Sequence, residues 1–422
     1  MTQVPATLEN NFRAVLRADQ MRSASPSDVV SGVQPQLILE PATEQHLAAA
    51  LRLSNEARLA VIPRGGATKL AWGNSPSRAD LILSTTRLNR VLEHAWADLT
   101  VTVEAGCTFQ TLQETLAQHG QRLALDPLWP EKATVGGILS TNDSGALRLR
   151  FGSLRDLIIG VTIALPDGTL ASSGGKVVKN VAGYDLPKLV TGAFGTLGVI
   201  TRAVFRLHPL PHHTRSFSIS TPHPEGTQKL ALAIQDSTLA HTSLQSHFSG
   251  DAPPTSDILF EGTEAGLDAQ TAQLRTLCRS AQIPEASANV WNARQELWSI
   301  SDPAETVIAK ISTLPADLAR AIELFYRAAD SFHIRWKSLH YATGLGWLRL
   351  QGPVDNLRRV LTSLRADLEQ RACSLVLLHR PAEFPAFDAW GIPGDSLPLM
   401  KAVKHQLDPA NTLNPARFLA GI

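Results

Sequence analysis

Three glycine-rich segments lie between residues 63 and 200: 63–69, 134–145 and 192–200. Glycine has no Cβ, so the backbone of such segments can lie directly against a ligand, and successive N–H groups can turn toward one anion. A single segment of this kind is equally compatible with an ordinary structural turn. Three of them together predict a long ligand, with a phosphate group at the first segment, held between two layers of structure.

The spacing of these glycines excludes two common phosphate sites. The first segment reads PRGGATK, which matches neither GxGxxG followed by a helix nor GxxxxGK[ST]. The third segment contains GxxGxxG, but it precedes an apparent strand, whereas a dinucleotide fingerprint follows one. We therefore expect neither a Rossmann nor a Walker-type site.

The charge balance and the apolar runs exclude other classes of partner. The 422 residues include 39 Lys and Arg against 38 Asp and Glu, which is too even a balance for non-specific binding of nucleic acid or anionic lipid. The longest apolar run, 157–165, is far shorter than the ~20 residues of a membrane-spanning helix, and the N-terminal residues do not resemble a signal peptide. We expect a cytoplasmic protein that binds no nucleic acid and does not insert into a membrane. Its three cysteines are isolated in sequence and are not expected to hold an iron–sulfur cluster.

The pattern of apolar residues predicts an α+β protein whose texture changes near residue 212. Before that point, short strands alternate with helices, such as a helix over 44–57 with Thr43 as its N-cap. After it, strands and longer helices alternate in a rhythm typical of an antiparallel sheet with helices on one face. The helices are expected at 315–329 and 353–372, and the Pro- and Ser-rich stretches 222–256 and 383–398 are expected to be loops.

Several motifs together resemble the FAD-binding fold of vanillyl-alcohol oxidase and para-cresol methylhydroxylase. They are RGGATKLAWG at 64–73, the segment 134–145, YDL at 184–186, GTLG at 195–198 and NP at 414–415. Within that family, GKVVKNVAGYDL at 175–186 is most similar to the FAD-binding subunits of bacterial glycolate oxidases. The resemblance implies two α+β subdomains that hold FAD, with a smaller α+β cap domain. It places the FAD-binding domain at 30–211, the cap or substrate domain at 212–395, and a C-terminal segment that returns to the FAD domain at 396–422.

The resemblance also implies which residues contact the cofactor. They are Arg64, Gly65, Gly66, Ala67, Thr68 and Lys69 at the pyrophosphate, Gly136, Gly137, Ser144 and Gly145 along the middle of the cofactor, Ile200 at the adenine end, and Tyr184 and Asn414 near the isoalloxazine. Members of the family with covalent flavin carry a histidine just after the paired glycines. Since Ala67 and Thr68 stand there, we expect non-covalent FAD.

The function that the resemblance implies is oxidation of a 2-hydroxy acid, glycolate or D-lactate, to the 2-oxo acid. Electrons would pass through FAD to an iron–sulfur partner, in a complex that also contains a second flavin subunit. Any association of the chain with the inner membrane face would come through a partner. The reaction needs a cation for the carboxylate and a base for the hydroxyl proton, and the candidates are His340, Lys310 and Arg380. His340 is equally compatible with a hydrogen-bonded structural residue, and Arg380 with the end of a strand.

Two roles stay open at this point. The histidine and glutamate cluster that gives related catalytic subunits a metal site is missing from this sequence, so we expect no metal and leave independent turnover in doubt. The chain is then either the subunit that oxidises the 2-hydroxy acid or a non-catalytic, flavin-carrying electron-transfer and structural subunit. A nicotinamide-dependent reductase of the same fold is a third alternative, which the segment 179–186 does not support.

Overall fold

The computed structural model describes residues 6–176, 183–278 and 283–422. The chain divides into two compact units. Unit 1 comprises Met1–Ser144, Gly152–Leu210 and Pro393–Ile422, and unit 2 comprises Gly145–Phe151 and Pro211–Ile392. Residues 177–182, which carry part of the glycolate oxidase-like motif, lie outside the described residues.

Helices and strands alternate along both units. The helices are α1 (Ala6–Val15), α2 (Glu44–Glu56), α3 (Phe109–Ala117), α4 (Val135–Thr141), α5 (Arg148–Phe151), α6 (Leu154–Leu157), α7 (Leu186–Val190), α8 (Pro224–Gln235), α9 (Glu264–Leu277), α10 (Ala293–Leu297), α11 (Leu318–Phe332), α12 (Val354–Glu369) and α13 (Leu397–Leu407). The strands are β1 (Met21–Ser23), β2 (Leu37–Leu39), β3 (Val61–Arg64), β4 (Leu81–Ser84), β5 (Val91–Ala95), β6 (Thr100–Glu104), β7 (Gln121–Arg122), β8 (Ile158–Ala164), β9 (Leu170–Gly174), β10 (Val199–Arg206), β11 (His208–Pro209), β12 (His213–Ser220), β13 (His241–Ser249), β14 (Thr255–Gly262), β15 (Glu285–Ala286), β16 (Thr306–Ser312), β17 (Arg335–Tyr341), β18 (Leu345–Gln351) and β19 (Ser374–His379).

Unit 1 contains a mostly parallel sheet and an antiparallel sheet. The first has the order β1–β2–β4–β3, with β1 as its antiparallel edge. The second, β5–β6–β10–β8–β9, is antiparallel throughout. Helix α2 begins at Glu44 as predicted, because the Thr43 hydroxyl accepts the His46 N–H, and its apolar face is buried with strands of the first sheet.

Ligands of open α/β sheets bind where parallel strands end. In unit 1, β3 ends at Arg64 and runs directly into the first glycine-rich segment, while the neighbouring β4 ends at Ser84. The mostly parallel sheet therefore delivers the predicted phosphate segment to the edge at which a ligand is expected.

Unit 2 is built on an antiparallel sheet of order β15–β12–β14–β13–β17–β18–β16–β19. Helices α8, α9, α11 and α12 cover one face of this sheet, as the rhythm of the sequence predicts. Helix α10 contacts β17 and β18, and it lies on the opposite face, where Arg294 stacks on Trp347 at 5.1 Å from the ring centroid. We call that second face the open face.

The prediction of a loop over 222–256 is wrong, because the segment holds α8 and β13. Pro224 occupies the first turn of α8, where its missing N–H leaves no hydrogen bond unmade. The polar residues of β13 are compatible with burial because they pair with other strands, as when the Ser246 and Ser256 hydroxyls lie 2.8 Å apart. Composition alone did not distinguish such residues from a loop.

Within residues 6–176, 183–278 and 283–422, no helix is long and apolar enough to cross a membrane. The three cysteines are free and buried.

Candidate functional site

The first glycine-rich segment packs so tightly that side chains are excluded from two of its positions. A Cβ on Gly65 would lie 2.0 Å from the Thr134 Oγ1, and a Cβ on Gly66 would lie 1.8 Å from the backbone oxygen of Lys132. Both distances are far below any real contact. Glycine is therefore required here by close approach of the chain to itself, and the tight approach fixes the position of the loop.

The same segment offers a set of backbone donors. Among the described residues, the N–H groups of Gly65, Gly66, Ala67 and Thr68 donate to no protein acceptor. Ala67 has φ +58°, a left-handed conformation that reverses the local backbone and turns neighbouring N–H groups toward one concavity. Such a concavity binds an anion through amide dipoles, so the loop fits a pyrophosphate.

Helix α4 forms a second wall but supplies few donors. Thr134 caps it by accepting the Gly137 N–H, while the N–H groups of Val135 and Gly136 donate to backbone oxygens at 2.9 and 2.7 Å. Because its first-turn donors are already used, α4 is not itself an anion site. A Cβ on Gly136 would lie 2.9 Å from the Cβ of Ala105, so this glycine allows close packing of the wall.

The C-terminal segment closes the third side. Buried Asn414 donates from its Nδ2 to the backbone oxygen of Phe194 at 2.5 Å, and its own N–H donates to the oxygen of Val61 at 3.0 Å. The Oδ1 of Asn414 is buried and has no partner among the described residues. An unpaired buried acceptor is costly, so Asn414 is suited to accept a hydrogen bond from a ligand.

Two buried groups that the sequence analysis missed hold this segment in place. The ammonium of Lys404 donates to Asp408 at 2.6 Å and to the backbone oxygens of Thr196 and Leu413 at 2.9 and 3.0 Å. Arg417 is 3% exposed and donates to the backbone oxygens of residues 70 and 72. Burial lowers the pKa of Arg417 to about 10. In the sequence, these charged residues stand among apolar residues of the C-terminal segment, and that pattern could have predicted that they are buried.

The predicted phosphate cations are both paired with carboxylates. Arg64 donates from Nη1 to Asp28 at 2.8 Å, and hydrogen bonds from Arg22 and Arg64 hold the pKa of that carboxyl far below its usual range. Lys69 is buried 3.1 Å from an oxygen of Asp143. These pairs neutralise the two cations and anchor both ends of the loop, so backbone amides are its main donors for an anion.

The remaining predicted cofactor residues are dispersed. Ile200, near the start of β10, lines the cleft. Ser144 is buried but does not line the cleft, and Gly145 belongs to unit 2. The side chain of Tyr184 is 90% exposed.

Together these walls line a cleft that is open to solvent on one side. Most of its lining residues come from the three glycine-rich segments and the C-terminal segment. Those that were predicted are Arg64, Gly65, Gly66, Ala67, Thr68, Lys69, Gly136, Gly137, Ile200 and Asn414. The cleft fits a long ligand with a phosphate at one point and close backbone packing along its length.

The predicted catalytic residues lie in unit 2 and do not come together. His340 pairs with Gly346 and Lys310 with Trp347. Because side chains alternate along a strand, His340 faces the helical layer whereas Lys310 faces the open side. Arg380, beyond the end of β19, donates to the backbone oxygen of Phe387 at 3.3 Å.

His340 is buried between aromatic rings. It stacks on Phe325 and meets the edge of Phe248, with centroids 6.1 and 5.8 Å away. Neither ring nitrogen has a partner among the described residues, and burial lowers the pKa of His340 to about 3. The imidazole is therefore uncharged at neutral pH. Within the described part of the chain, no group of three His, Cys, Asp or Glu residues is arranged to hold a metal ion.

Comparison with known proteins agrees with this geometry. Residues 35–174 match a family model described as an FAD binding domain. This segment is an FAD-binding domain. FAD is accordingly the cofactor. The free amides of the 65–68 loop fit its phosphates, and the unpaired Oδ1 of Asn414 fits one of its hydrogen-bond donors.

Sequence similarity to known proteins extends well beyond residues 35–174. The mitochondrial "D-lactate dehydrogenase [cytochrome]" of Arabidopsis thaliana is 25% identical over 91% of this chain and 73% of its own length. The "Glycolate oxidase subunit GlcD" of Bacillus subtilis is 24% identical over 92% of this chain and 89% of its own length. The "D-2-hydroxyglutarate dehydrogenase" of Xanthomonas citri is 25% identical over 91% of this chain and 89% of its own length. The predictions of a glycolate oxidase-like flavoprotein and of an oxidoreductase are confirmed.

Solved structures confirm the predicted fold. p-Cresol methylhydroxylase superposes with a TM-score of 0.80 at 14% identity, over 98% of this chain and 97% of its own. Alkyldihydroxyacetonephosphate synthase superposes with a TM-score of 0.76 at 17% identity, over 99% of this chain and 86% of its own. At these identities the likeness concerns the fold alone.

Proposed function

We propose that the chain is a subunit that oxidises glycolate or D-lactate to the corresponding 2-oxo acid, and that its electrons pass through FAD to an iron–sulfur partner. The observation that carries this proposal is the shared substrate class of its relatives. Three of them, each aligned over at least nine-tenths of this chain, are named for D-lactate, glycolate and D-2-hydroxyglutarate. FAD, when bound, supplies the two-electron acceptor that such an oxidation requires.

In this proposal, unit 1 binds the cofactor and unit 2 binds the substrate. The 65–68 amides hold the pyrophosphate, and the paired Arg64 and Lys69 keep their loop in position. The cofactor is non-covalent because Ala67 and Thr68 occupy the positions where the family's covalent members carry histidine. The complex also contains a second flavin subunit, and any attachment to the inner membrane face comes through a partner.

A second candidate is a non-catalytic subunit that carries flavin for electron transfer. The observation that favours it is the separation of His340 and Lys310 on opposite faces of their sheet, together with the aromatic burial of His340. In that case, a partner subunit oxidises the substrate.

An anaerobic visible spectrum of the purified chain separates the two. Bleaching of the flavin band by glycolate or D-lactate, without partners, supports substrate oxidation by this chain. A band that stays oxidised with the chain alone but bleaches after the partner subunits are added supports the electron-transfer role. Bleaching by NADPH, with neither acid active, would contradict both.

A further inference from the structure

The open face of unit 2 carries cations that repel one another. Lys337 and Arg349 are directly opposite in the β17–β18 pair, and Arg335 lies two residues from Lys337 on the same face. Like charges directly opposite on neighbouring strands are destabilising. A cluster of this kind gives the open face a local positive charge that favours an anion.

Arg349 is the member that most needs a counter-ion. It is half-buried beneath the chain that follows α10, where its Nη1 donates to the backbone oxygens of Leu297 and Ser299 at 3.4 and 2.9 Å. Its Nε is buried without an acceptor, and among the described residues it forms no ion pair. Burial and the neighbouring Arg335 lower the pKa of Arg349. A guanidinium in this setting is suited to a planar carboxylate.

A histidine–aspartate pair lies on the same face one strand away. The Nε2 of His247 is 2.5 Å from the Oδ2 of Asp257. Asp257 is buried and also accepts the hydroxyl of Ser218 at 2.6 Å and the amide of Gln245 at 3.0 Å. These donors fix the carboxylate, so it orients the His247 ring.

Strand register brings the pair close to the cations. His247 is opposite Leu339 on β17, so Lys337 is its diagonal neighbour at a typical ~7–8 Å between such positions. His247, Lys337 and Arg349 all line one groove that is open to solvent. Two exposed carboxylates, Asp251 and Glu296, also line it. A hydrogen bond from Ser249 and the nearby charge of Lys337 lower the pKa of Asp251, so Lys337 is partly neutralised and Arg349 is the principal cation for an anion.

We propose that this groove binds a small 2-hydroxy or 2-oxo acid. The carboxylate lies against Arg349 and Lys337, and the adjacent hydroxyl or keto oxygen contacts His247, whose ring Asp257 orients. The choice of substrate class rests on the proposed function, whereas the anion site itself rests on Arg349, which forms no ion pair among the described residues, and on Lys337 directly opposite it. A 2-hydroxy or 2-oxo acid has a carboxylate for Arg349 and an oxygen on the neighbouring carbon for His247. Acetate has the carboxylate but lacks the second oxygen, so it can contact only the cations.

The test is a ligand-observed NMR titration of the full chain with oxalate, glycolate and acetate. We expect Arg349→Gln and Lys337→Gln each to weaken oxalate binding about ten- to hundredfold, the usual loss for one charge-assisted hydrogen bond. The matched control is Arg320→Gln on helix α11, whose side chain is 76% exposed; binding should be unchanged. Equal melting temperatures for all variants establish that they fold.

The role of His247 is tested by comparing ligands. His247→Asn should weaken binding of glycolate but leave acetate unchanged. The proposal is overturned if the wild-type chain does not bind oxalate, if Arg349→Gln and Lys337→Gln bind it as the wild type does, or if His247→Asn affects both acids equally. Failure of the proposed function gives a different result: oxalate binding that depends on Arg349, with flavin that no 2-hydroxy acid bleaches.

Discussion

Replacement of Gly66 by alanine should remove FAD from the chain. The added Cβ would lie 1.8 Å from the backbone oxygen of Lys132 and 2.8 Å from its carbonyl carbon. An ordinary contact needs about 3.4 Å, so the loop must move by the difference, about 1.6 Å. The obstacle is backbone, and no side-chain rotation can relieve it.

A displacement of that size breaks hydrogen bonds to a phosphate, because N–H···O bonds weaken steeply beyond about 3.2 Å. If two of the four amides in 65–68 lose their phosphate contact, each loss costs about 1.5–3 kcal/mol, since the acceptor is charged. The sum, ~3–6 kcal/mol, corresponds to an FAD Kd that is roughly 10²–10⁴-fold higher.

The assay is the ratio of flavin to protein in the purified variant, followed by reconstitution with FAD and a Kd from flavin fluorescence quenching. The control is Gly262→Ala, whose added Cβ meets nothing within 4 Å; it should retain full flavin. Full occupancy and an unchanged Kd in Gly66→Ala would refute the assignment of this loop to the pyrophosphate.

Three further predictions concern the same unit. Acid precipitation of the wild-type chain should release all flavin into the supernatant, since Ala67 and Thr68 cannot form the histidyl bond of covalent relatives; flavin that sediments with the polypeptide would contradict this. Arg417→Met should lower the free energy of unfolding in urea by about 2–4 kcal/mol, because two buried backbone oxygens lose a charged donor. Arg417→Lys should recover part of this loss. If both variants are as stable as the wild type, Arg417 does not stabilise the C-terminal segment. Lys404→Met and Asp408→Leu should each lower the free energy of unfolding by about 3–5 kcal/mol, because each leaves one buried charge without its ion-pair partner. The double variant should lose less than the sum of the two single variants. Additive losses in this double-mutant cycle would show that the two side chains are not coupled.

The glycine-rich segments were predictable because their constraint is local. Two adjacent glycines after an apolar run indicate backbone that must turn or lie close to other chain, and Gly65 and Gly66 do so. Helix α2 was predictable for a similar reason, since its cap and its apolar spacing are read within 14 residues.

The anchors of the loop were not predictable, because their partners are distant in sequence. Arg64 pairs with Asp28, 36 residues away, and Arg417 donates to Trp72, 345 residues away. A cation beside paired glycines suggests a phosphate ligand from sequence alone, and only the fold reveals that a carboxylate already neutralises it. The separation of His340 and Lys310 was not predictable either, because the face of the sheet on which each side chain lies depends on the pairing of distant strands.

The two candidate anion sites use opposite physical means. At the 65–68 loop, Asp28 and Asp143 neutralise the nearby cations, so in our proposal oriented backbone amides bind the phosphate. On the open face of unit 2, Lys337 and Arg349 are directly opposite. Among the described residues Arg349 forms no ion pair, and the carboxylate that interacts with Lys337, Asp251, is exposed. A bound anion would reduce the repulsion between the two cations. The first arrangement suits a cofactor that stays bound through many turnovers. The second suits a small acid that must bind and leave.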